Sequence, residues 1–201
     1  MEKEYFFKQA FTLENQRTKL VPFSDQYYDG LSKIIFETAN RKYVVGQIFS
    51  EEDLRKYIRS TLKEKVNHQS YPFIIIDKRT NEIAGSTRFG HINFVNKRLE
   101  IGWTWIGEKF RGTGLNQACK FELLQFAFEE MCFRRVQFSA DIDNVRSQKA
   151  IQKLGAKKEG VFRDNYINAV GESRDDVYFS IIASEWEEIK YNYFSEFSEH
   201  N

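Results

Sequence analysis

The stretch from Arg98 to Glu129 reads RLEIGWTWIGEKFRGTGLNQACKFELLQFAFE, and its pattern changes twice along its length. Residues 99–106 are rich in aromatic and β-branched side chains, which favours a strand. Residues 111–116 (RGTGLN) hold two glycines and predict a tight loop. Apolar side chains then recur at the spacing of a helix, at Leu115, Cys119, Leu123, Phe126, Ala127 and Met131. The stretch therefore predicts a strand, a glycine loop and a long helix in succession.

A glycine loop that opens a helix directly after a strand can hold an anion, most often a phosphate. Glycine lets the backbone approach a ligand closely, and the free N–H groups of a helix N-terminus carry partial positive charge. Two common phosphate loops do not fit, because the chain has no GxxxxGK[ST] run and because Gln117 stands where GxGxxG needs a small residue. An ordinary strand-to-helix turn is the alternative interpretation.

The composition limits the class of protein. The 201 residues are enough for one domain with a sizeable core. Lysine and arginine number 30 against 29 acidic residues, and this balance argues against a dedicated nucleic-acid binder. No stretch approaches 18 apolar residues, and the N-terminal MEKEYFFKQ is too charged for a signal peptide. We therefore expect a cytoplasmic protein with no membrane segment and no nucleic-acid partner.

Cysteine and histidine do not occur in a pattern typical of metal or disulfide sites. Cys119 and Cys132 both fall in the predicted long helix, where we expect buried free thiols. His68, His91 and His200 are scattered, without the spacing of a metal site. We expect no metal.

The predicted elements follow the order β-α-α-β-β-β-α-β-α-β-β-α. This order predicts an α+β fold with a mixed, mostly antiparallel sheet of about seven strands and helices on both faces. Residues 40–49 are predicted to be an irregular linker, and residues 1–201 a single domain with residues 1–17 as an N-terminal arm. The predicted strands cover 18–23, 71–77, 82–89, 99–106, 135–140, 157–166 and 174–182. The predicted helices cover 25–37, 51–65, 144–154 and 184–193, in addition to the long helix that begins at Leu115 and includes Cys132.

Two segments carry a resemblance to a known family. Residues 109–114 (KFRGTG) resemble the [QR]-x-x-G-x-[GA] pyrophosphate loop of acetyl-CoA-dependent N-acetyltransferases, with lysine in the first place. Residues 144–147 (NVRS), with KLGA at 153–156, resemble the N-x-x-S…K-L-G-[AF] segment of the GNAT superfamily. Residues 171–181 look like the late strand of the branch that acetylates the N-terminal alanine or serine of ribosomal proteins. The resemblance covers residues 18–189 and implies the GNAT fold.

The resemblance implies acetyl-CoA as the donor. The family binds its pantetheine arm where two neighbouring strands splay apart, which here implies residues 99–106 and 135–140. A splayed edge offers unpaired backbone groups that an amide-rich arm can use like a strand. The cofactor-binding residues implied are Ile106, Lys109, Arg111, Gly112, Thr113, Gly114, Leu115, Asn116 and Asn144.

Two residues are the candidates for catalysis. Strict alternation would place Glu100 on one strand face with Gly102, Thr104 and Ile106, where it could act as base or orient the amine. A salt bridge from Glu100 to Arg88 or Arg98 is the alternative. Many family members protonate the leaving thiolate with a tyrosine, but here that position is Ile151. The resemblance implies Ser147 in its place, although Ser147 could equally be a plain helix-start serine.

The sequence leaves more alternatives for the acceptor than for the donor. The resemblance implies an amine-bearing acceptor, either a protein N-terminus or a small molecule, and a homodimer is an open possibility. Core packing or an acceptor pocket would both explain the aromatic side chains of Phe89, Phe94, Trp103, Trp105 and Tyr166. The rival to an enzyme is a non-catalytic acyl-CoA sensor or interaction module that kept the loop and lost turnover.

Overall fold

A computed structural model describes residues 1–37, 48–168 and 171–198. The helices are α1 (Lys3–Lys8), α2 (Tyr28–Glu37), α3 (Glu51–Val66), α4 (Leu115–Gln125), α5 (Val145–Gln152) and α6 (Trp186–Ser198). The strands are β1 (Leu13–Glu14), β2 (Thr18–Pro22), β3 (Ser70–Asp77), β4 (Glu82–Asn93), β5 (Arg98–Ile106), β6 (Arg135–Asp141), β7 (Lys157–Ile167) and β8 (Ser173–Ile182). Most of the predicted linker, residues 40–47, lies outside the described residues.

The strands of the described residues form one eight-stranded sheet in the order β1-β2-β3-β4-β5-β6-β8-β7. Every neighbouring pair is antiparallel except β5 and β6, which run parallel. The predicted mixed, mostly antiparallel α+β fold is confirmed. The eighth strand is the two-residue β1, which is too short to produce a periodic sequence signal.

Two apolar clusters lie on opposite faces of the sheet. The larger one packs α1, α4 and α6 against the sheet through side chains such as Phe73 and Ile75. The smaller one packs α2 and α3 against the other face through side chains such as Ile74 and Trp105. Neighbouring residues of one strand serve different clusters because side chains alternate across a strand.

The N-terminal segment is built into the larger cluster. Phe6 is fully buried, and its ring lies 4.9 Å from the ring of Tyr71 and 6.4 Å from that of Phe126. The backbone N–H of Phe11 donates to the hydroxyl of Tyr71, and that hydroxyl donates to the carbonyl of Gln9. The N-terminal arm is therefore an ordered segment packed on the sheet. That the whole chain forms a single domain stays a prediction.

Helix α4 buries the predicted apolar positions but ends earlier than expected. All six predicted positions, from Leu115 to Met131, are buried. A π-helical turn at Phe126–Glu130 closes the helix, and Cys132 lies beyond it with φ of 54°. The expectation of two buried helical thiols is therefore right for Cys119 and wrong for Cys132, which is exposed.

Two β-bulges interrupt the β4–β5 hairpin on either side of the Gly90–Glu100 pair. One extra residue lies on β4 between Gly90 and Asn93, and another on β5 between Gly102 and Trp105. The bulge on β5 reverses the side-chain alternation beyond Gly102. The expectation that Thr104 and Ile106 share the face of Glu100 is therefore wrong, and Trp105 lies on that face instead.

Candidate active site

Strands β5 and β6 form a V whose vertex lies beside Glu100. Their parallel pairing covers only three residue pairs, the last of which is Glu100 with Gln137. Strand β5 then continues to Ile106 and β6 to Asp141 without pairing with each other. The facing edges therefore carry backbone N–H and C=O groups that a peptide-like chain could use.

The glycine loop lies at the open end of this V, directly after β5. Gly112 and Gly114 adopt φ of 73° and 83°, and a Cβ atom added to either would meet nothing within 4 Å. Gly114 is the N-cap residue of α4 and has no side chain that could accept hydrogen bonds from the first amides of the helix. Within the described part of the chain, the amides of residues 112–116 have no hydrogen-bond acceptor. The loop therefore presents free donors into open space, while fully buried Leu115 anchors it to the core.

Arginine side chains from two elements approach this end of the V. The Nε atom of Arg111 donates to the carbonyl oxygen of Ile106 at 3.0 Å. Burial lowers the pKa of the Arg111 guanidinium, and the positive charge of Arg146 in the first turn of α5 lowers it further. Two like charges held near one another favour an anion between them.

The loop side chains have different surroundings. Lys109 forms an exposed ion pair of 2.7 Å with Glu82, so its ammonium is engaged outside the loop. The Thr113 hydroxyl donates to the carbonyl of Phe110 at 2.7 Å and accepts from buried Arg17 at 3.1 Å. Thr113 thus fastens the loop to Arg17, the residue before β2.

Helix α5 begins at the end of β6, on the other arm of the V. The Oδ1 atom of Asn144 accepts from the backbone N–H of Ser147 at 3.1 Å, which makes Asn144 the N-cap. The Ser147 hydroxyl has no hydrogen-bond partner among the described residues and is half-buried. Arg174 steadies the preceding turn through bonds to Asp141 and Asp143.

Glu100 is buried at the vertex and held by three side chains. Its Oε1 atom accepts from Ser139 at 2.8 Å, and its Oε2 atom accepts from Gln137 at 2.9 Å and lies 3.1 Å from Nδ1 of His91. Burial alone would raise the pKa of the Glu100 carboxyl, but the hydrogen bonds from these groups outweigh it, and the pKa is lowered. Glu100 is therefore a fixed negative charge.

The salt bridges considered for Glu100 do not form. Buried Arg88 donates to Glu64 at 2.6 Å and to the hydroxyls of Tyr57 and Thr61 on α3. Arg98 lies 3.5 Å from the Oε1 atom of Gln137. The ionisable partner of Glu100 is His91 instead.

His91 was not identified as a candidate from the sequence, because the histidines were considered only as metal ligands. Its side chain is 64% exposed, and its ring meets the Trp103 ring edge-on at 5.4 Å between centroids. The predicted β4–β5 hairpin could have revealed it, since that pairing places residue 91 near residue 100. The bulge that turns its side chain towards Glu100 has no such sequence signal.

The other aromatic candidates divide between core and surface. Phe89 and Trp105 are buried in the two clusters, and Phe94 packs at the edge of the larger one. Trp103 is half-buried, and its ring fills the space above Gly90, where a Cβ atom would lie 2.3 Å from it. Tyr166 is exposed and donates to Asp141. Of these aromatics, Trp103 is the one whose ring contacts the His91 ring.

The described part of the chain holds no group of three or more metal-ligating side chains. Among the same residues, no helix is both long and apolar enough to span a bilayer.

Comparison with known proteins agrees with this geometry. The sequence profile of the family described as acetyltransferase (GNAT) domain matches residues 17–157, which hold both arms of the V and the glycine loop. The chain belongs to the GNAT acetyltransferase family. The resemblance found in the sequence is thereby confirmed.

Curated and solved GNAT proteins resemble this GNAT domain over different lengths. A Bacillus subtilis protein named "Putative ribosomal N-acetyltransferase YdaF" is 35% identical over 106 residues, which cover 52% of this chain and 56% of that protein. The match thus spans little more than half of that relative. A GCN5-related N-acetyltransferase from Brucella melitensis superposes with a TM-score of 0.83 at 22% identity and covers 96% of this chain and 88% of the other. A ribosomal-protein-S5-alanine acetyltransferase from Vibrio fischeri superposes with a TM-score of 0.70 at 15% identity and covers 88% and 98%.

The predicted site residues of this GNAT domain form two groups. Glu100 lies at the vertex of the V. Residues 111–116, Asn144 and Ser147 lie at its open end, and Ile106 ends the β5 arm. Lys109 points away to Glu82. The arrangement can hold an anion at the mouth, a peptide-like chain along the V and a reacting group near the vertex.

Proposed function

We propose that this GNAT domain transfers the acetyl group of acetyl-CoA to a primary amine by direct attack within a ternary complex. The observation that carries the proposal is the divergence of β5 and β6 directly after the Glu100–Gln137 pair, with the glycine loop at the open end. The V provides a backbone-lined channel, and the loop provides an anion site at its mouth.

The donor would fill this channel from mouth to vertex. The free amides of residues 112–116 would bind the pyrophosphate, aided by Arg111 and by Arg146, which the sequence did not single out. Ile106 and Asn144 end the two strands and would flank the pantetheine arm, while buried Leu115 holds the loop. Lys109, already paired with Glu82, is left out of phosphate binding.

The chemistry needs a deprotonated amine, a polarised thioester carbonyl and a proton for the leaving thiolate. We assign Glu100 the role of a fixed negative charge that draws the amine to the vertex. Unpaired backbone N–H groups along the V are the donors available to the carbonyl oxygen. Ser147, whose hydroxyl is free at the start of α5, would give the proton to the thiolate.

A cationic amine suits the face that carries Glu100. Ser139 and Tyr178 are paired across β6 and β8, and Asp176 lies two residues along β8 on the same face. Burial raises the pKa of Asp176, and the charge of Glu100 raises it further, which shows that the two carboxyls act on one another. We propose that the acceptor is a protein N-terminal amine or a small-molecule amine and that the protein acts in the cytoplasm. The name of YdaF, which contains the words ribosomal N-acetyltransferase, supports the protein N-terminus.

The proposal is tested by calorimetric titration of acetyl-CoA into the wild type and two variants. Gly112→Glu puts a negative side chain into the loop. Gly160→Glu is the matched control, since Gly160 on β7 also has open space around its Cβ position. Binding to the wild type and to Gly160→Glu, but not to a folded Gly112→Glu, supports the cofactor site. No binding to the folded wild type overturns the proposal.

A second step separates an enzyme from a sensor. Release of free CoA thiol is followed with a panel of peptides that carry N-terminal serine, alanine or methionine, and with polyamines. Turnover with any acceptor supports the enzyme. Tight binding of acetyl-CoA with no turnover across the panel favours the acyl-CoA sensor.

A further inference from the structure

A buried carboxylate and an exposed imidazole form a pair beside the vertex of the V. The Nδ1 atom of His91 lies 3.1 Å from Oε2 of Glu100. Because an ionised carboxylate can only accept, Nδ1 carries the proton, and the neutral ring has Nε2 as its acceptor. The side chain of His91 is 64% exposed and that of Glu100 only 4%. A fixed acid that orients a solvent-facing imidazole is the arrangement of a general base and its orienting group.

The backbone adopts unusual conformations around this pair. His91 and Trp103, the positive-φ residues of the two bulges, have φ of 47° and 49°. Histidine adopts this left-handed region more readily than most residues, whereas a bulky tryptophan rarely does, so the strain lies chiefly at Trp103. Bulges re-aim side chains, and residues held in such conformations cluster at functional sites. Here the two bulges bring both rings together beside Glu100, at 5.4 Å between centroids.

The charges around the pair favour proton transfer through the imidazole. The hydrogen bond to Glu100 raises the pKa of His91, against the opposing effects of burial and of the nearby Arg98 charge. Glu100 itself, with a lowered pKa, is a weak base near neutral pH. Asp176 and Tyr178 on β8 face Glu100. Burial raises the pKa of both side chains, and the negative charge of Glu100 raises it further.

We propose that His91 is the general base that deprotonates the acceptor amine, with Glu100 as its positioning residue. This inference rests on the proposed acetyl transfer. Nε2 of His91 takes one proton from the acceptor ammonium, and the freed lone pair attacks the thioester carbonyl carbon. The C–S bond breaks with its electron pair on sulfur. The second N–H proton reaches the thiolate through the Ser147 hydroxyl, and the imidazolium returns its proton to solvent.

The test compares His91→Asn with His68→Asn across pH 6 to about 9.5, the range spanning imidazole and α-amino titration. His68 also has a left-handed backbone, with φ of 58°, but its ring stacks on Phe7 at 4.4 Å between centroids and is not among the groups that bond Glu100. Asparagine tolerates that backbone and lacks the base. With acetyl-CoA and a peptide bearing an N-terminal serine, we expect His91→Asn to lower kcat/KM about 10²- to 10³-fold at pH 7. The deficit narrows near pH 9, where an α-amino group of pKa about 8 is already deprotonated. His68→Asn follows the wild type.

Four results would count against the proposal or its basis. Wild-type kcat/KM in His91→Asn overturns it, and so does a loss of equal size at every pH, which indicates a structural role. NMR titration of the imidazole gives a readout besides activity, since Glu100→Gln should lower the pKa of His91. An unchanged His91 pKa overturns the positioning role of Glu100. Calorimetry with acetyl-CoA separates the two proposals, because a wild type that binds no acetyl-CoA overturns the proposed function instead.

Discussion

The Nζ atom of Lys120 lies 2.6 Å from the Oγ1 atom of Thr104, directly beyond the bulge at Trp103. The same ammonium donates to Thr87 at 3.2 Å, and no carboxylate pairs with it in the described part of the chain. Lys120 therefore ties α4 to the two strands that carry the bulges, through hydroxyl groups alone.

Lys120→Met should reduce the rise in the free energy of unfolding that the wild type shows between about pH 8 and pH 10.5. Burial lowers the pKa of Lys120 from 10.5 to about 8, so between these values the unfolded chain binds more protons than the folded one. The wild type is thus destabilised below pH 8 and recovers on the order of 3 kcal/mol as the pH rises towards 10.5. Urea unfolding at pH 7 and pH 10 should show the stability advantage of Lys120→Met shrinking with pH.

Lys56→Met is the control for this change, because the Lys56 side chain is 63% exposed. The free energy of unfolding of Lys56→Met should change with pH in parallel with that of the wild type. Burial raises the pKa of the Cys119 thiol to about 12, against the opposing effect of the Lys120 charge, and Cys119 is present in all three proteins. Parallel pH curves for Lys120→Met and the wild type would show that Lys120 keeps its ordinary pKa.

Arg17→Gln should destabilise the protein more than the double change Arg17→Gln/Asp77→Asn. Both side chains of this ion pair are less than 10% exposed, and removal of one partner leaves an uncompensated buried charge. We expect a loss of about 3–5 kcal/mol for the single change and a smaller loss for the double change. Urea unfolding of the single and double variants gives the coupling directly. Equal losses for the two proteins would contradict a buried pair.

Ser147→Ala should lower kcat without weakening acetyl-CoA binding. The Asn144 cap accepts from the backbone N–H of Ser147, so removal of the hydroxyl leaves the helix start intact. If the hydroxyl protonates the thiolate, kcat falls about 10²-fold at neutral pH. Thiol release with a poor and a good leaving thioester separates the roles, since the deficit should be smaller for the better leaving group. An unchanged kcat would show that Ser147 is a helix-start residue without a role in catalysis.

Phe6→Ala should destabilise the whole chain, whereas Tyr5→Ala should not. Phe6 is fully buried among aromatic rings, and Tyr5 is 56% exposed. Truncation of a buried phenylalanine costs about 3–5 kcal/mol. Thermal unfolding should show one transition that shifts to lower temperature for Phe6→Ala. A separate early transition would mean that the N-terminal arm folds independently of the sheet.

The fold and the glycine loop could be predicted for different physical reasons. The run from Leu115 to Met131 repeats at 3.6 residues because one helix face is buried, and Gly112 and Gly114 mark the loop because other residues avoid its positive φ. The hairpin beside Glu100 was less predictable. The bulges at His91 and Trp103 depend on pairing across the hairpin, and periodic alternation contains no trace of them.

The segment before β2 and the C-terminal helix α6 meet beside helix α4. The Gln16 side chain donates to the carbonyl of Glu196, and Gln117 on α4 donates to the carbonyl of Tyr193. During synthesis on the ribosome, Gln16 emerges long before Glu196, so its partner is still unmade while the sheet is assembling. The aromatic side chains that α6 covers, such as Phe121, therefore lack their partners on α6 until translation has passed this helix.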